Sequence, residues 1–317
     1  MTPRPLAAVP LAIVGLALGL SSAFDASARD GDSTAAATRA VVMAPKPSKR
    51  RSLIRNDGSS RTGSRKSYCA WGNCDVVEGR LPSPAVGAVC PPETANVDDR
   101  FCIDRWEASL VEVTPEGHET PWPPFGAIGD LEPGHVLRAV SAANVYPQAY
   151  ISGAQAAKAC AAAGKRLCAP VEWRKACMGP SGQTFGYGSE RVTGRCNDES
   201  QGRSPMLRLY PQVATSWSLV GMTEMNDPRL NQLAGTLATT GSHEGCTNGY
   251  GVFDMVGNLH EWTDDPHGTF QGGYYLDTHH NGDGCTYRTV AHEVTYHDYS
   301  TGFRCCADAS EPNSTRL

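Results

Sequence analysis

The chain has 317 residues, a formal net charge of -5, 40% hydrophobic residues, 33 Gly, 22 Pro and 12 Cys. That length suits one large domain or two small ones. The mildly acidic balance supplies no electrostatic footprint for nucleic acid, and no internal repeat stands out.

At the N-terminus, Arg4 precedes the uncharged apolar stretch LAAVPLAIVGLALGL, residues 6–20. It is short for a membrane span and reads as a signal peptide over 1–28. Cleavage fits Ala26-Ser27-Ala28 or the SSA ending at Ala23, with an uncleaved anchor helix as the alternative. Cleavage places the protein in the periplasm or outside the cell, with no transmembrane span left in the mature chain. Residues 29–66 are rich in Arg, Lys, Ser and Gly and read as a disordered basic linker. The Lys/Arg cluster from Lys46 to Lys66 is either a solvated tether or a contact for anionic lipid or polysaccharide.

Residues 67–97 form a Cys-containing extension, in which YCAWGNC suggests a small loop closed by Cys69 and Cys74. The main domain is expected over 98–310, followed by a disordered tail at 311–317. FCIDRWEASLVEV, residues 101–113, has the β-branched and aromatic content of a strand. The Pro- and Gly-rich stretch 114–150 reads as irregular loop. Ser152 is a fair N-cap for the Ala-rich GAQAAKACAAA, and Gly164 a C-terminal stop. A second helix is predicted at PVEWRKAC, residues 170–177, with Pro170 in its first turn and Gly179-Pro180 ending it. Short helices among turns and short strands predict an α+β fold.

Twelve cysteines in an exported chain read as a disulfide framework. The spacings lack the paired short-spaced knuckles of a zinc site. Late in the chain, GVFDMVGNLHEWTDD, residues 251–265, interleaves Asp254, Glu261, Asp264 and Asp265 with apolar side chains. Buried carboxylates need a partner or a cation, so these acids face either water or a metal.

Three stretches in order carry a resemblance: GKRLCAPVEWRKAC (164–177), GVFDMVGNLHEWTDD (251–265) and GGYY…TGFRC (272–305). Together they resemble the formylglycine-generating enzyme family, the sulfatase-modifying factors. The resemblance implies a sulfatase-modifying-factor fold, C-type-lectin-like, with low regular secondary structure, long loops and disulfides. It implies calcium at DMVGNLHEW, with side-chain oxygens from Asp254 and Glu261 and backbone carbonyls from Gly257 and Leu259. Calcium is a hard cation that takes six to eight such oxygens. A second calcium site is implied at Asn197 and Asp198, its other ligands coming from around Asn226 to Asn231; the alternative is an Asx-type turn.

Catalytic members use two cysteines to bind copper(I), a soft cation that selects thiolates. By the resemblance Cys285 is the second of that pair and the candidate catalytic residue, but no Cys stands between Gly273 and Cys285. Tyr274 replaces an expected serine, His260 an aromatic and Gly284 a tyrosine. The family also implies a bridge from Cys160 to Cys305. With that bridge in place Cys246 is expected to pair with Cys285 and Cys90 with Cys102; Cys177 has lost its family partner because Val290 stands in its place, and Cys168, Cys177, Cys196 and Cys306 are left unassigned, in further bridges or as a lone thiol.

The expected function is therefore an exported, calcium-braced binding or structural module lacking formylglycine-generating activity. Its partner would be a peptide, a glycan or an envelope component, and Trp122, Trp217, Tyr274 and Tyr275 are candidates for lining a cleft. The alternative is a metal-dependent oxidase or oxygenase. It would use Cys285 as a copper ligand, or iron held by late histidines (His260, His267, His279, His280, His292, His297) with Glu293 or Asp298.

Overall fold

Helix α1, Gly153–Ala162, begins where the sequence places its cap. Ser152 Oγ accepts the Gln155 N–H at 3.3 Å, and Gln155 Oε1 accepts the Ser152 N–H at 3.0 Å. This reciprocal box satisfies two donors that the first turn leaves open. Gly164, at φ +66°, turns the chain out after the helix. Helix α2, Pro170–Met178, starts on Pro170 and stops at Gly179, φ +68°. Its Glu172 takes the Ala169 N–H and two bonds from Arg166, tying the helix start to the preceding strand.

The computed structural model describes residues 79–199, 204–290 and 292–310. The signal peptide, the basic linker, the Cys69–Cys74 loop and the tail lie outside the described residues.

Three small sheets surround the helices. In the first, β1 (Thr94–Val97), β2 (Phe101–Asp104), β11 (Cys305–Asp308) and β6 (Arg166–Leu167) run in the order β1-β2-β11-β6. In the second, β10 (Thr301–Phe303), β7 (His260–Trp262), β8 (Phe270–Gln271) and β9 (Arg288–Thr289) run in that order. The pairing of β10 with β7 is parallel, with Gly302 opposite Glu261. The third has β3 (Ala108–Val113) between β4 (Glu119–Pro121) and β5 (Val136–Ser141). Two short helices, α3 (Pro205–Leu209) and α4 (Met222–Met225), punctuate the long excursion between α2 and β7.

Two expectations need correction. The single strand over 101–113 is two strands in different sheets. β2 is buried at every residue and β3 only at Ala108 and Leu110, and between them Arg105–Glu107 turns so that Glu107 enters the interior. The stretch 114–150 is not wholly irregular, since β4 and β5 lie in it. Pro121 is tolerated because β4 is an edge strand, and the alternation of VLRAVS outweighs the Pro and Gly around it.

Regular elements are short, and the described cysteines make up the difference. Five disulfides join Cys90–Cys102, Cys160–Cys305, Cys168–Cys306, Cys177–Cys285 and Cys196–Cys246. The neighbours Cys305 and Cys306 fasten β11 to α1 on one side and to the start of α2 on the other. The fold is α+β, with low regular content, long loops and disulfides. Among the described residues no helix is long and apolar enough to cross a membrane.

Candidate functional site

Arg304 sits between β10 and β11 with no solvent exposure. Such a charge persists in the interior only when its donors are used. Its Nε and one terminal nitrogen grip Glu261 of β7 at 2.6 and 2.7 Å. The same guanidinium reaches the carbonyls of Phe253 at 2.8 Å, Asp104 at 3.0 Å and Arg105 at 3.3 Å. Trp173 of α2 adds a 2.6 Å bond from its indole N–H to Glu261 Oε2. One cation thus clasps the turn after β2, the segment before β7 and β7 itself.

Two further acids surround this pair. Glu107 is fully buried and accepts the Asn258 amide at 2.5 Å and the Leu259 N–H at 3.0 Å. Asp254 is 4% exposed and accepts the Gly241 N–H at 2.7 Å. Burial, reinforced by the charges of Asp254 and Glu261, holds the Glu107 carboxyl well above the usual carboxylate range. Burial likewise pushes Asp254 up to about 6, against the opposing Gly241 N–H and Arg304. Three acids face one guanidinium, so the centre has more negative capacity than internal cation.

The backbone between these acids is tightly coiled. Asp254, Gly257 and Asn258 all have positive φ, at +57°, +83° and +55°. A Cβ on Gly257 would lie 2.3 Å from the Asn197 carbonyl oxygen, so glycine is needed there both for φ and for space. Asn197 closes the approach from the other side. Its amide donates to Asn258 Oδ1 at 2.8 Å and its carbonyl accepts the Asn258 N–H at 2.8 Å.

Asp254, Gly257, Leu259 and Glu261 lie in one buried turn, with Glu261 engaged by Arg304 and Trp173. Among the described residues Glu261 Oε1 accepts one hydrogen bond, from Arg304. Asn197 joins this turn, while Asp198 is occupied by Arg191 at 2.7 and 3.0 Å. Asn226 and Asn231 are engaged elsewhere, with His297 and with Tyr275 and Tyr299. Asp265, also buried, caps its own turn by accepting the Thr269 hydroxyl at 2.6 Å and the His267 N–H at 2.9 Å.

The structure joins Cys160 to Cys305 and Cys90 to Cys102. It corrects the expected Cys246–Cys285 pair, because Cys285 is bonded to Cys177 and Cys246 to Cys196. The reason is spatial. The turn Gly284–Thr286 packs against the end of α2, and the Cys285 N–H is fixed on the Thr184 carbonyl at 2.7 Å. Cys177, which loses its family partner in the sequence, thereby gains another. Both sulfurs are buried, and among the described residues no cysteine is free.

Of the late histidines, His260 and His292 share the Phe270 ring as a neighbour. His260 is buried against Phe270, Tyr274 and Tyr287, with ring centroids at 4.7, 4.8 and 5.5 Å. His292 lies on Phe270 at 5.0 Å and on Tyr296 at 4.4 Å. Among the described residues no three His, Cys, Asp or Glu side chains form a metal cluster. Tyr274 and Tyr275 pack inside together, Trp122 is half-buried, and Trp217 is 56% exposed.

Burial pushes the His260 imidazole down to about 3, with His292 acting in the same direction and Asp277 opposing. An unfolded histidine takes up its proton near pH 6.5. As pH falls below that value the unfolded state binds the proton first, so stability is lost towards pH 3. His260→Phe keeps the ring packing and flattens this acid limb, read as Tm between pH 7 and 4.

Sequence reasoning missed Glu107, Arg304 and Trp173 as members of the centre. A signal was present: Asp104 and Glu107 interrupt an otherwise apolar strand pattern, and Arg304 lies inside TGFRC.

Among curated proteins there is no match. Among solved structures, the crystal structure of CarF aligns over 73% of this chain and 98% of its own, at 15% identity and a TM-score of 0.40. The I1 and P3c variants of Major Tropism Determinant align over 71% and 70% of this chain, at 14% and 15% identity and TM-scores of 0.39 and 0.38. The chain spans about half the length of those two, 54% in each case. A family model, the sulfatase-modifying factor enzyme 1-like domain, matches residues 76–309, which takes in all three sheets and the buried acid–arginine centre. On that match, the chain belongs to the sulfatase-modifying factor enzyme 1-like domain family.

Proposed function

We propose that this protein is an exported binding or structural module of its family, without formylglycine-generating activity. The observation that carries the reading is the buried Cys177–Cys285 disulfide. The family's copper chemistry needs a pair of thiolates, and the residues present do not fit copper. Cys285 has no second Cys in the segment leading to it, and its sulfur is bonded to Cys177. Tyr274 and His260 occupy positions where the family pattern has other residues, and both are packed in an aromatic cluster. Five disulfides support residence in an oxidising compartment.

The test is an assay of the purified chain with copper(I), oxygen and a peptide carrying a sulfatase-type cysteine motif. No aldehyde product is expected. Stoichiometric conversion of the cysteine to formylglycine overturns the reading.

Calcium belongs to the same proposal. The turn from Asp254 to Glu261 offers two carboxylates and a coiled backbone, in a centre where three acids share one guanidinium. A divalent cation held there by Asp254, Glu261 and the carbonyls of Gly257 and Leu259 would balance that excess. Binding to the native state alone stabilises by about 2.7 kcal/mol at one hundred times Kd. Calcium is therefore expected to raise Tm relative to chelator, and Asp254→Asn to abolish the increment. Equal Tm in calcium and chelator removes calcium from the proposal.

A further inference from the structure

Helix α1 leaves a groove beside the third sheet. Gln155, Lys158, Ala159 and Ala162 recur at the spacing of one helical face, and two of the four are alanines. Small side chains there cannot fill the space between the helix and the strands. The result is a cavity of about 480 Å³, within the range that holds small ligands. Leu110, Ile151 and Ala159 are buried beneath it, while Ile128, Leu131 and Leu137 form half-buried walls.

The polar groups at this cavity divide into used and unused. Gln155 Oε1 accepts from Ser152, and its amide donates to the Ile128 carbonyl at 3.3 Å, which pins the wall. His135 Nδ1 is paired with Glu112 at 2.8 Å. Lys158 and Asp130 are different: both line the cavity and are exposed, and neither side chain meets a partner among the described residues. A peptide backbone would need a series of donors and acceptors along its length. This cavity offers apolar walls along its length and one formal charge of each sign.

We propose that the groove binds a single-chain zwitterionic phospholipid, its alkyl chain along α1, its phosphate at Lys158 and its ammonium at Asp130. This names a ligand for the binding module proposed above and rests on that reading. The body of such a guest needs no hydrogen bonds, and its head needs one cation and one anion.

The experiment is calorimetric titration of the full chain with dodecylphosphocholine, kept below its micelle concentration. Saturable one-to-one binding is expected, weakening about fourfold for each methylene removed. Laurate and dodecyltrimethylammonium, each lacking one half of the head, bind more weakly. Ala162 is exposed, so Ala162→Trp blocks the groove without disturbing the core, and weakens binding at least about tenfold at unchanged Tm. Lys158→Met costs about threefold against dodecylphosphocholine and nothing against dodecyltrimethylammonium; Asp130→Asn does the same relative to laurate. Absence of saturable binding, or affinity indifferent to Ala162→Trp, overturns the assignment. So does equal affinity for all three head groups. A chain that fails here and is also inactive on the cysteine peptide retains the module reading and loses this ligand; one that forms aldehyde loses the reading itself.

Discussion

Arg304→Met lowers the free energy of unfolding by about 3–5 kcal/mol. The loss comes less from the hydrogen bonds removed than from the charges left behind. Glu261 is 1% exposed, and without the guanidinium it keeps, among the described residues, one side-chain donor, the neutral Trp173 indole. Glu107, raised by burial and the charges of Asp254 and Glu261, and Asp254, raised by burial and the charge of Glu261, lose the charge that opposed those effects. The carbonyls of Phe253, Asp104 and Arg105 lose a donor as well. Urea unfolding at pH 7 reads the change as a shift in midpoint. Adding Glu261→Gln to the Arg304→Met variant is expected to recover about 1–3 kcal/mol, because it removes the orphaned charge. A loss below about 1 kcal/mol from Arg304→Met would show that the pair is open to water in solution.

That centre explains where sequence reasoning reaches and where it stops. The caps of α1 and α2 are legible because Ser152, Gln155, Pro170 and Gly179 act on backbone groups within a few residues of themselves. The stretch 251–265 is recognisable as a site because acids alternate with apolar residues. What each acid faces is set by partners 43 residues away for Glu261 and 151 or 152 residues away for Glu107, and local pattern is silent on such distances. The same limit governs the cysteines. Cys90 and Cys102 are close in sequence and joined across 12 residues, whereas Cys285 is joined to Cys177 across 108, a partner that neither its spacing nor the family resemblance indicates. Strands β4 and β5 escape notice for another reason. They are an edge strand with a proline and a six-residue strand among glycines, so composition argues against them while pairing with β3 creates them.

The Cys177–Cys285 bond has two consequences that one set of variants separates. Replacing both cysteines by alanine opens a 108-residue loop in the unfolded chain, and is expected to cost about 2–5 kcal/mol. For a domain of this size that is a Tm lowered by roughly 5–15 °C. The single change Cys177→Ala breaks the same bridge and leaves Cys285 as a thiol on the turn Gly284–Thr286. If Cys285 serves structure alone, the single and double variants lose similar stability, and neither converts the cysteine peptide with copper(I) and oxygen. Were Cys285 a catalytic thiol held in reserve by Cys177, the single variant would gain activity that the double variant lacks. Free-thiol titration under denaturing conditions fixes the starting state. Because the two cysteines sit in the packed interior between α2 and the late turn, the bridge is expected to resist mild reductant until the domain itself unfolds.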